Sequence, residues 1–404
     1  MKYKVLSVGQ NYHIRGGSDR MMFQTNRILA NHGHAVAVFA AQDARNQESV
    51  WSRYFPAAAN FEKPALIDLA RYVYSFPAAR QMKKLLDDVS PDIAHLHIYY
   101  GKLTTSILRS LKDAGIPIVQ SLHEYKLICP VYTLVSKDKI CEACQGRYFW
   151  RAIPRKCNRQ SLARTLLSVT ESYVSRWNGA VERIDHFIAV SDFVRRKVIQ
   201  YGVPSDKVTT VCNVIDASGI QPNGLPGKYF LYFGRLERVK GLFTLLEAAS
   251  SITEAPTYIV GEGSIKAELQ KMIEERGLTH IKLLGFKTGA ELHDIIRGSL
   301  CTILPAEWYE PWGLTILEGF AHARPAIGSR IGGIPEIITD GVDGSLFEAG
   351  NVVALREKMV WMAKRPSRAV EMGFEGRLKV ERKFTMENYY SQLMDVYRKA
   401  GGIL

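Results

Sequence analysis

Two carboxylates, Glu310 and Glu318, bracket the stretch Glu310-Pro-Trp-Gly-Leu-Thr-Ile-Leu-Glu318. The apolar run at 300–304 stops at Pro305 and reads as a buried parallel strand. Residues 314–323 read as a helix whose first turn is entered through Gly313, Leu314 and Thr315. A helix N-terminus offers unpaired backbone N–H groups and a partial positive charge, so it suits a phosphate. Glu310 then falls on the loop before the helix and Glu318 about one turn inside it. One carboxylate faces whatever the phosphate carries, and the other faces back along the ligand. Taken alone, two glutamates at this spacing are equally compatible with surface charges on a loop and a helix.

Cations stand upstream. Phe233-Gly234-Arg235-Leu236-Glu237-Arg238-Val239-Lys240-Gly241 ends a strand in Gly-Arg and puts Lys240 five residues on, at a helix start. Arg235 and Lys240 together can neutralise a diphosphate, where isolated basic residues at a helix start are merely solvated. Near the N-terminus, Gly16-Gly17 follow a first strand and precede a helix beginning near Ser18. Glycines there let the backbone approach a ligand closely. The pair is not G-x-G-x-x-G, so the dinucleotide fingerprint is absent. His123, in Ser121-Leu122-His123-Glu124, closes a strand at 116–122, while His95 and His97 alternate on another and read as packing and supporting residues.

In this order the elements resemble the retaining glycosyltransferases of family 4 over nearly the whole chain. Glu310 and Glu318 match that family's E-x7-E element, and Gly234-Arg235 with Lys240-Gly241 match its G-R-(x)4-K-G pattern. Ile259-Val260-Gly261-Glu262-Gly263 resembles the loop beside the nucleotide base, and Leu284-Gly285-Phe286 its neighbour. The resemblance implies the GT-B architecture, two Rossmann-like doubly wound domains facing across a cleft, with a C-terminal helix crossing back to the first. It also implies transfer of a hexose or N-acetylhexosamine from a UDP- or GDP-sugar to a surface glycan or lipid-linked acceptor. The Gly16–Gly17 loop, flanked by Arg15 and Ser18, would lie against the donor phosphate and the acceptor. Arg235, Lys240 and the helix start at Gly313, Leu314 and Thr315 would hold the diphosphate. Glu318 would bind the ribose, and Glu310 and His123 would contact the sugar. No cofactor is implied for catalysis. A sugar-nucleotide epimerase of the same fold, or a non-catalytic glycan- or lipid-binding module, are the rival readings.

The elements that must position these residues follow from apolar periodicity. Short β-branched runs at 3–8, 35–40, 92–98, 116–122 and 186–190 alternate with helical stretches such as 18–32 and 102–114. A second series at 229–233, 257–260, 281–284, 300–304, 325–328 and 345–347 alternates with helical patterns at 240–251, 264–276, 289–297, 314–323 and 351–363. The turn-rich Gln221-Pro-Asn-Gly-Leu-Pro-Gly227 reads as the linker. The division expected is 1–220, 221–385 and a C-terminal helical segment 386–404, as suits a chain of 404 residues.

No apolar run approaches the roughly 18 residues of a membrane span, and Met1–Gln10 reads as a strand and not a signal peptide. A cytoplasmic protein is expected. Of the net +13, about +12 falls on residues 1–220. Arg147, Arg151, Arg155, Lys156, Arg159 and Arg164 interleave with Tyr148, Phe149 and Trp150 and have no acidic neighbour. Nucleic acid and anionic lipid both suit such a surface. With a lipid-linked acceptor implied, the inner membrane face is the expected partner and nucleic acid is not. Within the same insertion, about 126–165, Cys129, Cys141, Cys144 and Cys157 form a C-x-x-C pair flanked by single cysteines. They are either a structural zinc site or incidental thiols. Cys212 and Cys301 read as small buried residues.

Overall fold

The computed structural model describes residues 2–61 and 65–401; Met1 and the last three residues of the expected segment 386–404 lie outside the described residues. The chain forms two compact units. The first comprises Met1–Lys137, Cys141–Cys212 and Tyr389–Leu404, and the second Asp138–Ile140 and Asn213–Asn388.

The first unit is built on β1 (Lys4–Val8), β2 (Ala35–Phe39), β3 (Ile93–Leu96), β4 (Ile118–Leu122), β5 (His186–Ala189) and β6 (Val208–Thr210), in the order β2-β1-β3-β4-β5-β6. Every pairing in it is parallel. Strands β3, β4 and β5 are buried along their whole length because helices cover both faces, and they therefore read as continuous apolar runs. The order reverses between β1 and β3, so the loops that leave their C-terminal ends part and open a crevice.

The second unit repeats the plan with β7 (Phe230–Phe233), β8 (Thr257–Val260), β9 (Ile281–Gly285), β10 (Cys301–Leu304), β11 (Ala326–Ser329) and β12 (Gly344–Phe347). Their order is β9-β8-β7-β10-β11-β12, again all parallel, and the reversal falls between β7 and β10. Its core packs Phe230, Tyr232, Ile259 and Ile303 of the sheet against Leu245, Leu246, Leu355 and Met359 of the helices Leu242–Ala249 and Val352–Ala363.

The boundary differs from the sequence expectation of 220/221. The chain joins the second unit at Asn213, because the segment after it is bonded there. Trp312 Nε1 donates to Asn213 O at 3.1 Å, and Arg377 donates to the carbonyls of Ala217 and Ile220. The expected linker is also packed down: Asn223 N donates to His322 O, and Arg324 to Leu225 O. Turn-forming residues marked a change of direction there and not a free tether. The helix Met386–Lys399 belongs to the first unit from Tyr389 onward. The Tyr389 hydroxyl bonds Thr25 Oγ1, Tyr390 bonds His34 Nε2, and Tyr397 bonds His95 Nδ1.

Between β4 and the helix Leu162–Trp177, the insertion is anchored by a fully buried ion pair, Lys126 with Glu171. Lys126 Nζ also donates to Pro130 O and Ser172 Oγ, and Ser175 Oγ donates to Glu171 Oε1. Burial alone would lower the Lys126 pKa, but the Glu171 carboxylate more than reverses this and holds it raised. Lys126→Met leaves a buried carboxylate unpaired and is expected to cost roughly 3–5 kcal/mol. Lys126→Met with Glu171→Leu should recover most of that loss in urea melts; a double variant as unstable as the single one would refute the account.

Candidate active site

In the second unit the loops after β7, β10 and β11 meet at the switch point. The loop after β7 carries Arg235 and turns through Arg238–Lys240 into Gly241, which caps the helix Leu242–Ala249. Gly241 has φ +71°, and a Cβ there would stand 1.8 Å from Pro305 O, so only glycine lets this loop press against the end of β10. That contact brings Lys240 to Glu310. Lys240 Nζ donates to Glu310 Oε2 at 2.6 Å, and Trp308 Nε1 donates to the same oxygen at 2.8 Å. Lys240 also lies over the Trp308 ring, 5.1 Å from its centroid. Both partners are largely buried, with side chains 12% and 9% exposed. The loop after β11 completes the seat, since Gly333 N donates to Glu310 O at 2.8 Å.

The two donors share Oε2, and among the described residues no hydrogen bond to Oε1 is seen. Beyond the loop, Gly313 caps the helix Leu314–Ala321, so Leu314 and Thr315 supply its first N–H groups and Glu318 lies one turn in, half-buried. A Cβ on Gly313 would meet the tip of the Ile316 side chain at 2.7 Å, so this helix start is close-packed by side chains and not by backbone. Arg235 is different. Its side chain is 54% exposed and bonded to Glu237 at 2.8 Å, a surface contact of small energetic weight. Gly261 and Gly263, expected beside the nucleotide base, owe their identity to packing. A Cβ on Gly261 would stand 1.8 Å from Gly234 O, and one on Gly263 2.1 Å from Leu236 O. They hold the loop that carries Arg235.

In the first unit His123 follows β4 and is half-buried. Its Nε2 lies 3.0 Å from His97 Nδ1, and their rings stack at 5.2 Å. His97 stacks in turn on His95 at 4.5 Å, and His95 Nε2 bonds Ser121 Oγ at 2.8 Å. Burial depresses all three: His123 falls to about 4, His95 to about 3, and His97 well below the usual imidazole value. At neutral pH the column is uncharged, so His123 offers a hydrogen bond and not a cation. Gly16 caps the helix Gly17–Asn31 at the end of the loop after β1, in extended backbone with open space around its Cα, and Arg15 N donates to Asp19 Oδ2 at 3.0 Å.

Each unit thus carries a cluster of polar residues at the switch point of its own parallel sheet, and two family models match the chain. Residues 15–218 match the model of Glycosyltransferase Family 4, and residues 219–379 that of Glycosyl transferases group 1. The chain belongs to glycosyltransferase family 4. The O-antigen chain mannosyltransferase C of Escherichia coli is 21% identical over 407 residues, covering 98% of each chain. The D-rhamnosyltransferase WbpZ of Pseudomonas aeruginosa is 28% identical over 233 residues, which span 55% of this chain and 60% of that protein. Among solved structures, the sucrose-phosphate synthase of Thermosynechococcus elongatus superposes with a TM-score of 0.72 at 17% identity, over 98% of this chain and 99% of that one. Anabaena HepE in complex with UDP gives 0.67 at 16% identity, over 98% and 100%. The fold of this glycosyltransferase is therefore GT-B.

The four cysteines of the insertion are free. Cys129, Cys141, Cys144 and Cys157 all line one small cavity. Among the described residues, no group of three or more His, Cys, Asp or Glu is placed so that it could hold a metal ion as it stands. Burial pushes the Cys144 thiol up to about 12, with the other three thiols adding to the effect. Cys301 is buried as expected, whereas Cys212 is half-buried. The expected aromatic triplet divides: Tyr148 and Trp150 are exposed, and Phe149 points into a satellite core. Sequence reading missed Trp308 as a site residue, although an indole two positions before a glutamate is a signal for a shared hydrogen bond.

The Lys240–Glu310 pair predicts that two basic residues assigned to one ligand will behave differently. Lys240→Ala should weaken nucleotide binding and also lower stability, by roughly 3 kcal/mol, because it leaves a buried carboxylate. Arg235→Ala should weaken UDP binding tenfold or more, the worth of one charge-assisted contact, with an unchanged melting temperature. Calorimetric titration beside thermal melts separates the two; equal melting losses would refute the distinction.

Proposed function

We propose that this glycosyltransferase is retaining and moves a hexose or N-acetylhexosamine from a UDP- or GDP-sugar to a surface-polysaccharide or lipid-linked acceptor. The reading is carried by the meeting of a cation, a carboxylate with one free oxygen and a helix N-terminus at one switch point. Arg235, Lys240 and the N–H groups of Leu314 and Thr315 would take the diphosphate, and Glu318 the ribose hydroxyls. Glu310, its Oε2 already committed to Lys240 and Trp308, would accept a sugar hydroxyl at Oε1. His123, neutral, would bond the transferred sugar. Support comes from relatives named for rhamnose and O-antigen mannose transfer, and from neighbours of the same fold solved with UDP and UDP-glucose.

In the proposed step the bond from C1 of the sugar to the diphosphate oxygen breaks, and the acceptor hydroxyl oxygen bonds C1 on the same face. The acceptor proton passes to the departing diphosphate, whose growing charge Arg235, Lys240 and the helix start stabilise. Two fixed cations would do the work that a divalent ion does elsewhere, so added Mg2+ or Mn2+ should not raise turnover. Thermal-shift titration with UDP-, GDP- and ADP-sugars identifies the donor, and NMR of the product reports its anomer. Stabilisation by one nucleotide sugar and retention are expected. Inversion would overturn the mechanism, and indifference to every nucleotide sugar would overturn the function.

Membrane attachment is part of the same proposal. Arg155, Lys156, Arg159 and Arg164 are exposed, beside exposed Tyr148, Trp150, Leu162, Leu166 and Trp177, the last with 78% of its surface open. No helix among the described residues is long and apolar enough to cross a membrane. Each basic residue near an anionic leaflet contributes about 1 kcal/mol, and interfacial aromatics add to it. Co-sedimentation with phosphatidylserine-containing but not phosphatidylcholine vesicles is expected, weakening as salt rises. Equal indifference to both would make the charge a solubility feature.

A further inference from the structure

The insertion between β4 and the helix Leu162–Trp177 folds without the means by which the rest of the chain folds. It contains two two-residue strands, Val135–Ser136 and Lys139–Ile140, and two short 3-10 turns. Its own apolar cluster is small: Cys144, Phe149 and Ala152 pack with Val169 of the following helix, and Leu127, Ile128 and Leu134 are buried besides. Among the described residues eleven non-glycine residues have positive φ, and eight of them lie here, from Tyr132 to Gln160. Each such residue is held against a local cost and persists only where its surroundings fix it firmly. A core of this size does not supply that, and segments of this kind are normally stapled by disulfides or a metal.

The staple is available in the lining of one cavity. Its wall is Cys129, Pro130, Val131, Leu134, Val135, Cys141, Cys144, Ala152 and Cys157, so the side-chain donors it presents are four sulfurs. The space between them is about 10 Å³, close to one water-sized sphere, which suits a single ion and not an organic ligand or an iron–sulfur cluster. The backbone joins the segments that carry the sulfurs. Cys141 N donates to Leu134 O at 2.7 Å, tying the C-x-x-C turn to the segment that follows Cys129. Arg151 donates to Ala143 O inside that turn at 3.1 Å, and Lys197 to Glu142 Oε1 at 2.7 Å.

We propose that Cys129, Cys141, Cys144 and Cys157 close on one zinc ion as a tetrahedral tetrathiolate that holds the insertion together. Four sulfurs without histidine or carboxylate select a soft or borderline metal, and a tetrahedral set of four thiolates is a structural zinc site. The thiols reach the ion by side-chain rotation from the cavity wall. On binding, four S–H protons pass to solvent and four Zn–S bonds form, leaving a centre of charge −2. The insertion compensates that charge: residues 126–165 hold nine Lys and Arg against two acidic residues, and Arg155 is near enough to act on both Cys144 and Cys157. The site follows His123 closely in the chain, and Tyr125 links the two, its N–H donating to Tyr132 O and its carbonyl accepting from Cys129 N.

The full chain, purified without chelator or a metal-affinity step, is analysed by elemental mass spectrometry. About one zinc per chain is expected, released when a mercurial titrates the thiols. Replacement by Co2+ should give the thiolate-to-cobalt absorption of a tetrahedral centre. Cys141→Ser with Cys144→Ser should reduce zinc to below about one tenth per chain and lower the melting temperature. If that variant does not fold, the zinc count and cobalt spectrum of the unaltered chain decide. Metal-free protein with four reactive thiols, a peptide map with disulfides among these cysteines, or a coloured iron centre would each overturn the proposal. None of these readouts depends on glycosyl transfer.

Discussion

Glu310 is a carboxylate largely withdrawn from water, and its surroundings supply its partners. A buried carboxylate needs a cation or N–H donors, and Oε2 accepts from Lys240 and Trp308, while Gly333 N holds the backbone carbonyl of the same residue. Each comes from a different loop, and the loops follow β7, β10 and β11, which are neighbours in the sheet. The pair therefore exists only if the parallel register is correct and if Gly241 allows one loop to lie on the next. Fold and site are the same constraint here. Lys240 is also not an independent cation waiting for phosphate. Its charge is shared with Glu310, and a diphosphate bound as proposed would have to compete for it.

The first half-site solves the opposite problem. His95, His97 and His123 are buried together without a carboxylate to stabilise their charged forms, so desolvation keeps them neutral. Neutral rings stack closely and pass hydrogen bonds where imidazolium ions would repel. The column is fixed at its inner end by Tyr397, from the C-terminal helix. That helix reaches its place through Tyr389, Tyr390, Leu393, Val396 and Tyr397, a helical spacing that puts hydroxyls and apolar bodies on one face. A residue at position 397 thereby helps to set the column of rings that ends at position 123.

Much of this was legible in the sequence because buried parallel strands leave uninterrupted apolar runs. All six strands of the second sheet, and five of the first, were readable that way. Strand β6 was not, since three residues at a sheet edge, one buried and two half-exposed, carry no periodic signal. Helices such as Phe76–Val89 and Asp192–Gln200 were passed over where their charged faces hid the apolar stripe. Glu310, Glu318, Arg235 and Lys240 stood out by spacing. What spacing does not contain is partnership. It gave Lys240 and Glu310 separate tasks, and the structure pairs them. Nor does it show that backbone crowding from Gly234 and Leu236 by itself requires glycine at 261 and 263.

The basic insertion shows why a charge count is not yet a function. Its arginines fall into different environments, and the environment decides what each can do. Arg147 is half-buried, its charge disfavoured by burial and by Arg176, and it contributes little to any surface. Arg151 is spread over the rings of Tyr148 and Trp150. Arg155 stands within electrostatic reach of Cys144 and Cys157, while Arg159 and Arg164 are open to solvent beside Leu162. A lipid headgroup can compete for the last two, and a thiolate cluster for Arg155. The two proposed roles overlap at Arg155 and otherwise draw on different residues of one segment. A rigid centre inside would also serve a docking face outside, because exposed aromatics anchor best on a backbone that does not yield.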